Sequence, residues 1–485
     1  MSRRVLPLFA VAWMACSAAL AAPPEPIDVG SRLELFVDDY LVESMDGAEL
    51  RLHHPVPAPQ PESPLPPRFM MTVIKDGDLY RAWWRGSDPS YTGETFTGHP
   101  GETVLYAESD DGVEWRFPDF RAQGLHDVPG EVNRSTILTN RPPYLTNFIP
   151  FLDTRPGVSD GERYKTLAGY PGKGDKRELR GEELEGRGLF AFVSPDGIRW
   201  TRGDEVIPYQ QGWRHAFDSP NVAFWSETEQ QYVCYFRVWT PGERLRSIAR
   251  TTSEDFVNWT EPVELDVNLE GEHLYSNNTT PYFRAPHIYL AFPTRFVPDR
   301  GDAPHYDPKD VNSTDIMFMT WRAGVAEQYD RTFTEAFMRP GRDPGAWGNR
   351  ANFLAINVVP TAEDELSLYS RVTGRHTLRT DGFASAHVAG LEPGEVVTRP
   401  VLFEGEELVL NFATSAAGDV RVELQDASGE PLEGFALGDC RLLVGDQIAR
   451  AVRWEGGRSL GELEGKPVRL RFVLRDADVY SWRFR

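Results

Sequence analysis

Cysteine is almost absent from this chain. Only three occur in 485 residues, at positions 16, 234 and 440, so neither a disulfide framework nor a thiolate metal cluster organises the fold. Cys234 and Cys440 fall in different halves of the sequence and read as separate buried thiols. Positive charge is also scarce. Lys and Arg number 51 against 73 Asp and Glu, for a net charge of −22, which speaks against nucleic acid or an anionic membrane as partner. After residue 21 no apolar run approaches the roughly 20 residues that a spanning helix needs, so no membrane span is expected. Long helical periodicity is missing too, and no cofactor motif or metal-ligand spacing stands out.

The first residues are of another kind. Arg3 and Arg4 precede an apolar run over residues 5–15, and Ala19-Leu20-Ala21 supplies small residues for cleavage. This pattern predicts a signal peptide over 1–21 and a secreted or periplasmic mature chain. Trp13-Met14-Ala15-Cys16 departs from a Leu-led lipobox, so a lipid anchor is not the expectation.

What the chain has in quantity is aromatic residues, with 13 Trp, 17 Tyr and 27 Phe, and a repeated unit. The best copy runs from His215 to Trp259. Residues 222–225, 232–238 and 247–252 are short β-branched and aromatic runs separated by polar turns, a meander of neighbouring strands. It closes on Ser253-Glu254-Asp255-Phe256-Val257-Asn258-Trp259, and the same S-x-D-[GF]-[VI]-x-W pattern recurs from Ser109 to Trp115 and from Ser194 to Trp200. Aromatic strands at 80–84, 164–168 and 232–236 precede these turns, and 287–292 and 365–369 look like the same element without the Asp turn. Five such units predict an all-β fold, a five-bladed β-propeller.

At 485 residues the chain exceeds what a single core usually supports. The propeller is expected over 30–385. From about residue 386 the texture changes to alternating strands at 408–412, 420–425, 449–454 and 468–474, which predicts a β-sandwich over 386–485. Residues 31–43 form an N-terminal strand expected to cross over and complete the last blade, with Asp38 and Asp39 in the turn at its end. The loop over 86–102 is expected to lie across one face, and the charged stretch 173–187 reads as a solvated insertion.

In a propeller the residues just before the inner strands crowd one mouth of the central funnel. Here they are Asn147, Asp218, Glu272, His273, Tyr275 and Asn349. The second strands return to that face, and their ends read Arg85, Arg237, Arg295 and Arg371, with Trp239 beside them. Asp218 and Glu272 supply the two carboxylates that glycoside hydrolysis needs, one to protonate the leaving oxygen and one to act as base or nucleophile. Arginine rather than lysine at equivalent ends suits bidentate binding of carboxylate or sulfate, so an anionic sugar is one expected substrate. Asp111, Asp196 and Asp255 recur in one turn and read as structural.

Together the leader, the LFVDDYLVE segment, the turns SDDGVEW, SPDGIRW and TTSEDFVNW, the FDSPNVAFW segment and the C-terminal sandwich resemble secreted bacterial five-bladed propeller glycosidases. The resemblance is to glycoside hydrolase families 32, 43 and 68. It implies a propeller, then a sandwich, with a carbohydrate partner. The W-M-N-D-P-N-G, R-D-P and E-C motifs of family 32 are absent, so no catalytic residue carries over by motif. The S-x-D-G-x-x-W turns resemble the structural Asp boxes of sialidases. Three activities stay open on the residues alone: a glycoside hydrolase, a carbohydrate-binding propeller without catalysis, and a polysaccharide lyase in which His273 or Tyr275 acts on a uronate α-proton. Oligomeric state is not legible.

Overall fold

The computed structural model describes residues 25–485 apart from 96, 141–143, 170–187, 211–212, 214, 241, 243, 305–310 and 456–457. The leader and the charged stretch at 173–187 lie outside the described residues. The chain is all-β, with four short 3-10 turns and no α-helix among the described residues.

Five successive antiparallel units follow one another. The first pairs Thr72–Asp76, Leu79–Ser87, Glu102–Ser109 and Thr136–Thr139 in that order. The second pairs Phe151–Leu152, Tyr164–Gly169, Leu189–Ser194 and Thr201–Ile207, and the third Val222–Ser226, Gln231–Trp239, Arg246–Ser253 and Val263–Glu264. The fourth unit is broken. Pro293 lacks the amide that would continue the ladder, and the unit divides into two three-stranded sheets, one on Ala285–Ala291 and one on Thr294–Val297. The fifth pairs Val359–Pro360, Glu365–Ser370 and Gly374–Arg379, and its outer strand is Val56–Pro57 from the N-terminal region.

The Asp turns fasten neighbouring units. In each, the Ser hydroxyl and the Asp carboxylate accept backbone amides of the following residues: Gly197 N to Ser194 Oγ is 2.9 Å and Arg199 N to Asp196 Oδ1 is 2.8 Å. Gly197 has φ +75° and lies so near Trp83 that a Cβ would approach the indole to 2.7 Å, so only glycine fits there. The Trp83 indole donates to the Gly197 carbonyl at 2.7 Å. The corresponding turn of the first unit receives the Tyr369 hydroxyl of the fifth at the Gly112 carbonyl. First and fifth units also exchange backbone bonds, Val73 N to Ile356 O at 3.1 Å and Ile356 N to Met71 O at 2.8 Å.

The inner strands surround a cavity of about 380 Å³ lined by Val73, Phe151, Phe224, Thr280 and Val358, one residue from each unit. At one end an apolar collar of Met70, Ile149, Val222 and Ile356 packs across the axis. Beyond the collar lie the starts of the inner strands and the ends of the second strands.

Residues 31–43 do not complete the fifth unit. Glu34–Leu35 and Val42–Asp46 join the C-terminal sheet, pairing with Arg469–Phe484 and Gly394–Thr398. The apolar side chains of this segment dictate it: Phe36 and Leu41 enter the C-terminal core, while Leu33, Leu35 and Val37 pack with Phe292, Phe318 and Phe383 where the two regions meet. The chain also leaves the fifth unit early, since Ala384–Val388 already pairs with Glu49–Leu52 and Arg469–Phe484. The strands expected at 408–412 and 420–425 are one bent strand, Leu408–Gln425, whose pairing with Arg469–Phe484 slips between Thr414 and Asp419. Cys234 and Cys440 are free and buried.

Buried charges join the two regions. Arg322 donates to Glu34 Oε2 at 2.8 Å and to both Asp38 oxygens at 2.8 and 2.9 Å, so Asp38, which also accepts the Tyr40 amide in its turn at 3.2 Å, is an ion-pair partner as well as a turn residue. Asp381 accepts from the Tyr282 hydroxyl at 2.6 Å, from Arg284 at 2.8 Å and from the Ser481 hydroxyl at 2.7 Å.

Candidate functional site

Strand polarity decides what meets beyond the collar. Second strands end there and third strands begin there: Trp239 pairs with Arg246, whereas Tyr232 pairs with Ser253 at the far end beside the Asp turn. Arg85 and Arg237 end second strands, Arg371 follows one, and Arg246 begins a third strand.

Asp218 is delivered by a strained turn. His215 and Phe217 have φ of +50° and +62°, a region that bulky side chains seldom enter and that costs about 1–3 kcal/mol unless neighbours enforce it. Both sides of Phe217 are held: its N–H donates to the Arg237 carbonyl at 3.2 Å, and its carbonyl accepts the Asn147 side-chain amide at 2.6 Å. Arg237 Nη2 then meets Asp218 Oδ2 at 3.0 Å. Asn147, itself at φ +58°, thus fixes the turn that carries Asp218.

Aromatic rings floor the site. Tyr275, Phe296 and Phe353 form one cluster with Phe69 packed against it. The Arg237 guanidinium lies 4.8 Å from the Tyr275 ring centroid, and Arg246 lies 4.6 Å from Trp239 and 4.2 Å from Phe296. Arg371 stacks over Phe69 at 5.6 Å and donates to the Arg350 carbonyl. These are cation–π distances, and they place the guanidiniums over the rings. His273 Nδ1 accepts from the Arg246 backbone amide at 3.2 Å and lies 3.3 Å from its guanidinium. Burial, then the Arg246 charge, lowers its pKa below the ordinary histidine value, so the ring is neutral with its proton on Nε2. That tautomer donates and does not serve as a base.

The remaining expected residues divide. Arg295 is turned away into a bidentate pair with Asp315, at 2.9 and 2.5 Å. Glu272 is held by Arg331, which takes both of its oxygens at 2.8 and 3.0 Å, and the Leu269 amide adds a further bond at 3.2 Å. It ties the 267–272 turn to Arg331. Asn349 immediately precedes Arg350, whose exposed side chain marks the rim.

Sequence reasoning passed over Arg246, Arg350 and Glu102. Arg246 was recoverable, because a meander returns the start of its third strand to the end of its second. Glu102 pairs with Arg85 and accepts the Gly98 amide at 2.7 Å, through the same Oε1. Its buried Oε2 has no hydrogen-bond partner among the described residues. Arg85, Glu102, His99, Phe69 and Arg371 line a pocket of about 460 Å³ beneath the 86–102 loop.

The arginines feel one another. Burial, chiefly, pushes Arg85 down to about 10, and Arg350 adds to this while Asp218 and Tyr275 oppose it. Arg246 is likewise pushed down to about 10, by burial and then by Arg237, with Arg350 adding further. Burial and Arg350 also lower Arg371. All stay charged at neutral pH. Among the described residues no group of three His, Cys, Asp or Glu is placed to hold a metal ion, and no helix is long and apolar enough to cross a membrane.

No protein-family model matches the sequence, and no curated protein matches it. Among solved structures the chain is similar to a glycoside hydrolase, at 11% identity over 70% of this chain and 93% of that one, with a TM-score of 0.41. It is similar to a β-1,2-mannobiose phosphorylase from Listeria innocua, at 10% identity over 68% and 96%, TM-score 0.40. A family 32 β-fructofuranosidase from Bombyx mori aligns at 9% identity over 90% and 94%, TM-score 0.38. At these scores the likeness is distant.

Proposed function

We propose that the chain is an exported glycoside hydrolase built as a five-bladed β-propeller, with a β-sandwich formed by residues 27–52 and 384–485. The arginine-ringed mouth is its sugar site. The observation that carries this reading is the strained turn at His215–Phe217, held by Asn147 and Arg237, which presents a single ion-paired carboxylate, Asp218, over an aromatic floor. Strain of this kind concentrates at functional sites, and aromatic faces suit the apolar faces of sugar rings.

In this reading Asp218, as a carboxylate, takes a proton from the attacking water or attacks the anomeric carbon itself. Glu102 is the second mouth carboxylate and the candidate acid toward the leaving glycosidic oxygen, with Oε1 occupied by Arg85 and Gly98 and Oε2 without a hydrogen-bond partner among the described residues. Tyr275 and Trp239 back the arginines that meet the sugar, and His273 donates from Nε2. Export rests on the leader pattern over residues 1–21. The test is release of reducing sugar from an oligosaccharide panel by wild type, Asp218→Asn and Glu102→Gln. Loss of turnover in both folded variants is expected, and unimpaired turnover in Asp218→Asn overturns the assignment.

One observation favours binding without cleavage. Both mouth carboxylates are engaged by arginines, an arrangement that serves to hold a ligand as readily as to react with it. Tight glycan binding with no released product would select that reading. A rise in ultraviolet absorbance from unsaturated products would instead select a lyase, with Tyr275 rather than the Nε2-protonated His273 near the α-proton.

A further inference from the structure

The mouth carries more positive charge than it neutralises. Arg85, Arg237, Arg246, Arg350 and Arg371 meet there, against Asp218 and Glu102. This occurs in a chain whose net charge is −22, so the patch runs against the overall field. Two of the arginines hold buried donors in reserve: Arg237 Nε and Arg246 Nε have no hydrogen-bond partner among the described residues, nor has the Trp239 indole N–H between the same strands. Buried donors left open are rare in folded proteins. Neighbouring His99, lowered by burial and by Arg85, adds a polar group without adding charge.

We propose, resting on the glycan reading above, that the mouth recognises an anionic saccharide, one bearing carboxylate or sulfate groups on successive residues, through two adjacent anion subsites. The first is Arg237 with Arg246, over Tyr275 and Trp239. The second is Arg85 with Arg371, above Phe69, and rim residue Arg350 bridges the two. Planar guanidinium N–H edges match the paired oxygens of either anion. The bound anions relieve the mutual repulsion that Arg350 exerts on Arg85, Arg246 and Arg371. Neutral sugars offer nothing equivalent, so discrimination between charged and uncharged chains of one length is built into the mouth.

The test is titration of the full mature chain with three probes of equal length: trigalacturonate, a sulfated trisaccharide and a neutral trisaccharide, followed by calorimetry at low and high salt. Variants are Arg350→Ala, exposed and therefore safe for folding, and Arg199→Ala, an exposed arginine in the Asp turn at the opposite end of its sheet, which controls for the change in net charge. Expected is binding of at least one anionic probe, weakened by salt, with the neutral probe much weaker. Arg350→Ala should lower the anionic affinity about tenfold or more, as for loss of a charge-assisted hydrogen bond, and Arg199→Ala should not. Preference for trigalacturonate or for the sulfated probe identifies which anion the subsites fit. Equal binding of neutral and anionic probes, or an Arg199→Ala loss equal to that of Arg350→Ala, overturns the inference while leaving the glycan site in place. Failure of all three probes overturns both.

Discussion

Arg237 Nη2 and Asp218 Oδ2 lie 3.0 Å apart, with the arginine side chain 3% exposed and the aspartate 15%. One partner is thus inside the protein and the other faces the mouth. Removing the aspartate charge strands a buried guanidinium, at a cost of about 3–5 kcal/mol. Asp218→Asn should therefore lose both turnover and stability, and urea denaturation alongside kinetics on the folded fraction separates the two.

Asn147→Ala removes the amide that holds the Phe217 carbonyl at 2.6 Å. A stability loss of about 1–3 kcal/mol is expected for the carbonyl left buried. Because Asn147 positions rather than reacts, kcat should fall more than sugar affinity, and a purely structural role would leave kcat per folded molecule intact.

Glu272→Gln should behave differently. Its carboxylate serves Arg331, with side chains 5% and 13% exposed, so the variant is expected to lose about 3 kcal/mol of stability, as for a broken buried pair, with turnover per folded molecule retained. Kinetics at a temperature well below its melting point check this.

The Glu34–Arg322–Asp38 network predicts acid sensitivity. Burial acts to raise the Glu34 carboxyl, but attraction to Arg322 and the His287 hydrogen bond outweigh it and leave the group far below its ordinary 4.5. A carboxylate depressed in the folded state contributes stability that is complete above its unfolded value and fades as pH falls through the folded one. Stability should therefore decline below about pH 4.5, and Glu34→Gln should flatten that decline in thermal melts across the acid range.

Asp196 accepts the Ile198 and Arg199 amides at 2.9 and 2.8 Å in the turn that also receives Trp83. Asp196→Ala should cost about 1–2 kcal/mol, like loss of a helix cap, and leave turnover unchanged, since the turn lies at the other end of the sheet from the mouth.

The repeated units, the structural Asp turns and the return of Arg85, Arg237 and Arg371 to one face were legible in the sequence, because each follows from local alternation and turn chemistry. Pairing across long separations was not. Glu272 meets Arg331 59 residues away, and Arg295 meets Asp315 across a hairpin that the broken fourth unit obscures. Val56–Pro57 is too short, and too rich in neighbouring prolines, to carry a strand period, so the longer and more hydrophobic 31–43 segment looked like the closing strand. Ser415-Ala416-Ala417-Gly418 reads as a turn, yet it is a slip within one continuous strand.

The most direct test of the account is product analysis by mass after incubating trigalacturonate, a sulfated trisaccharide and a neutral trisaccharide with wild type and Asp218→Asn. Hydrolytic fragments of an anionic probe are expected from wild type and none from the folded variant. Wild-type turnover retained in Asp218→Asn, or no product from either protein with any probe, would contradict it.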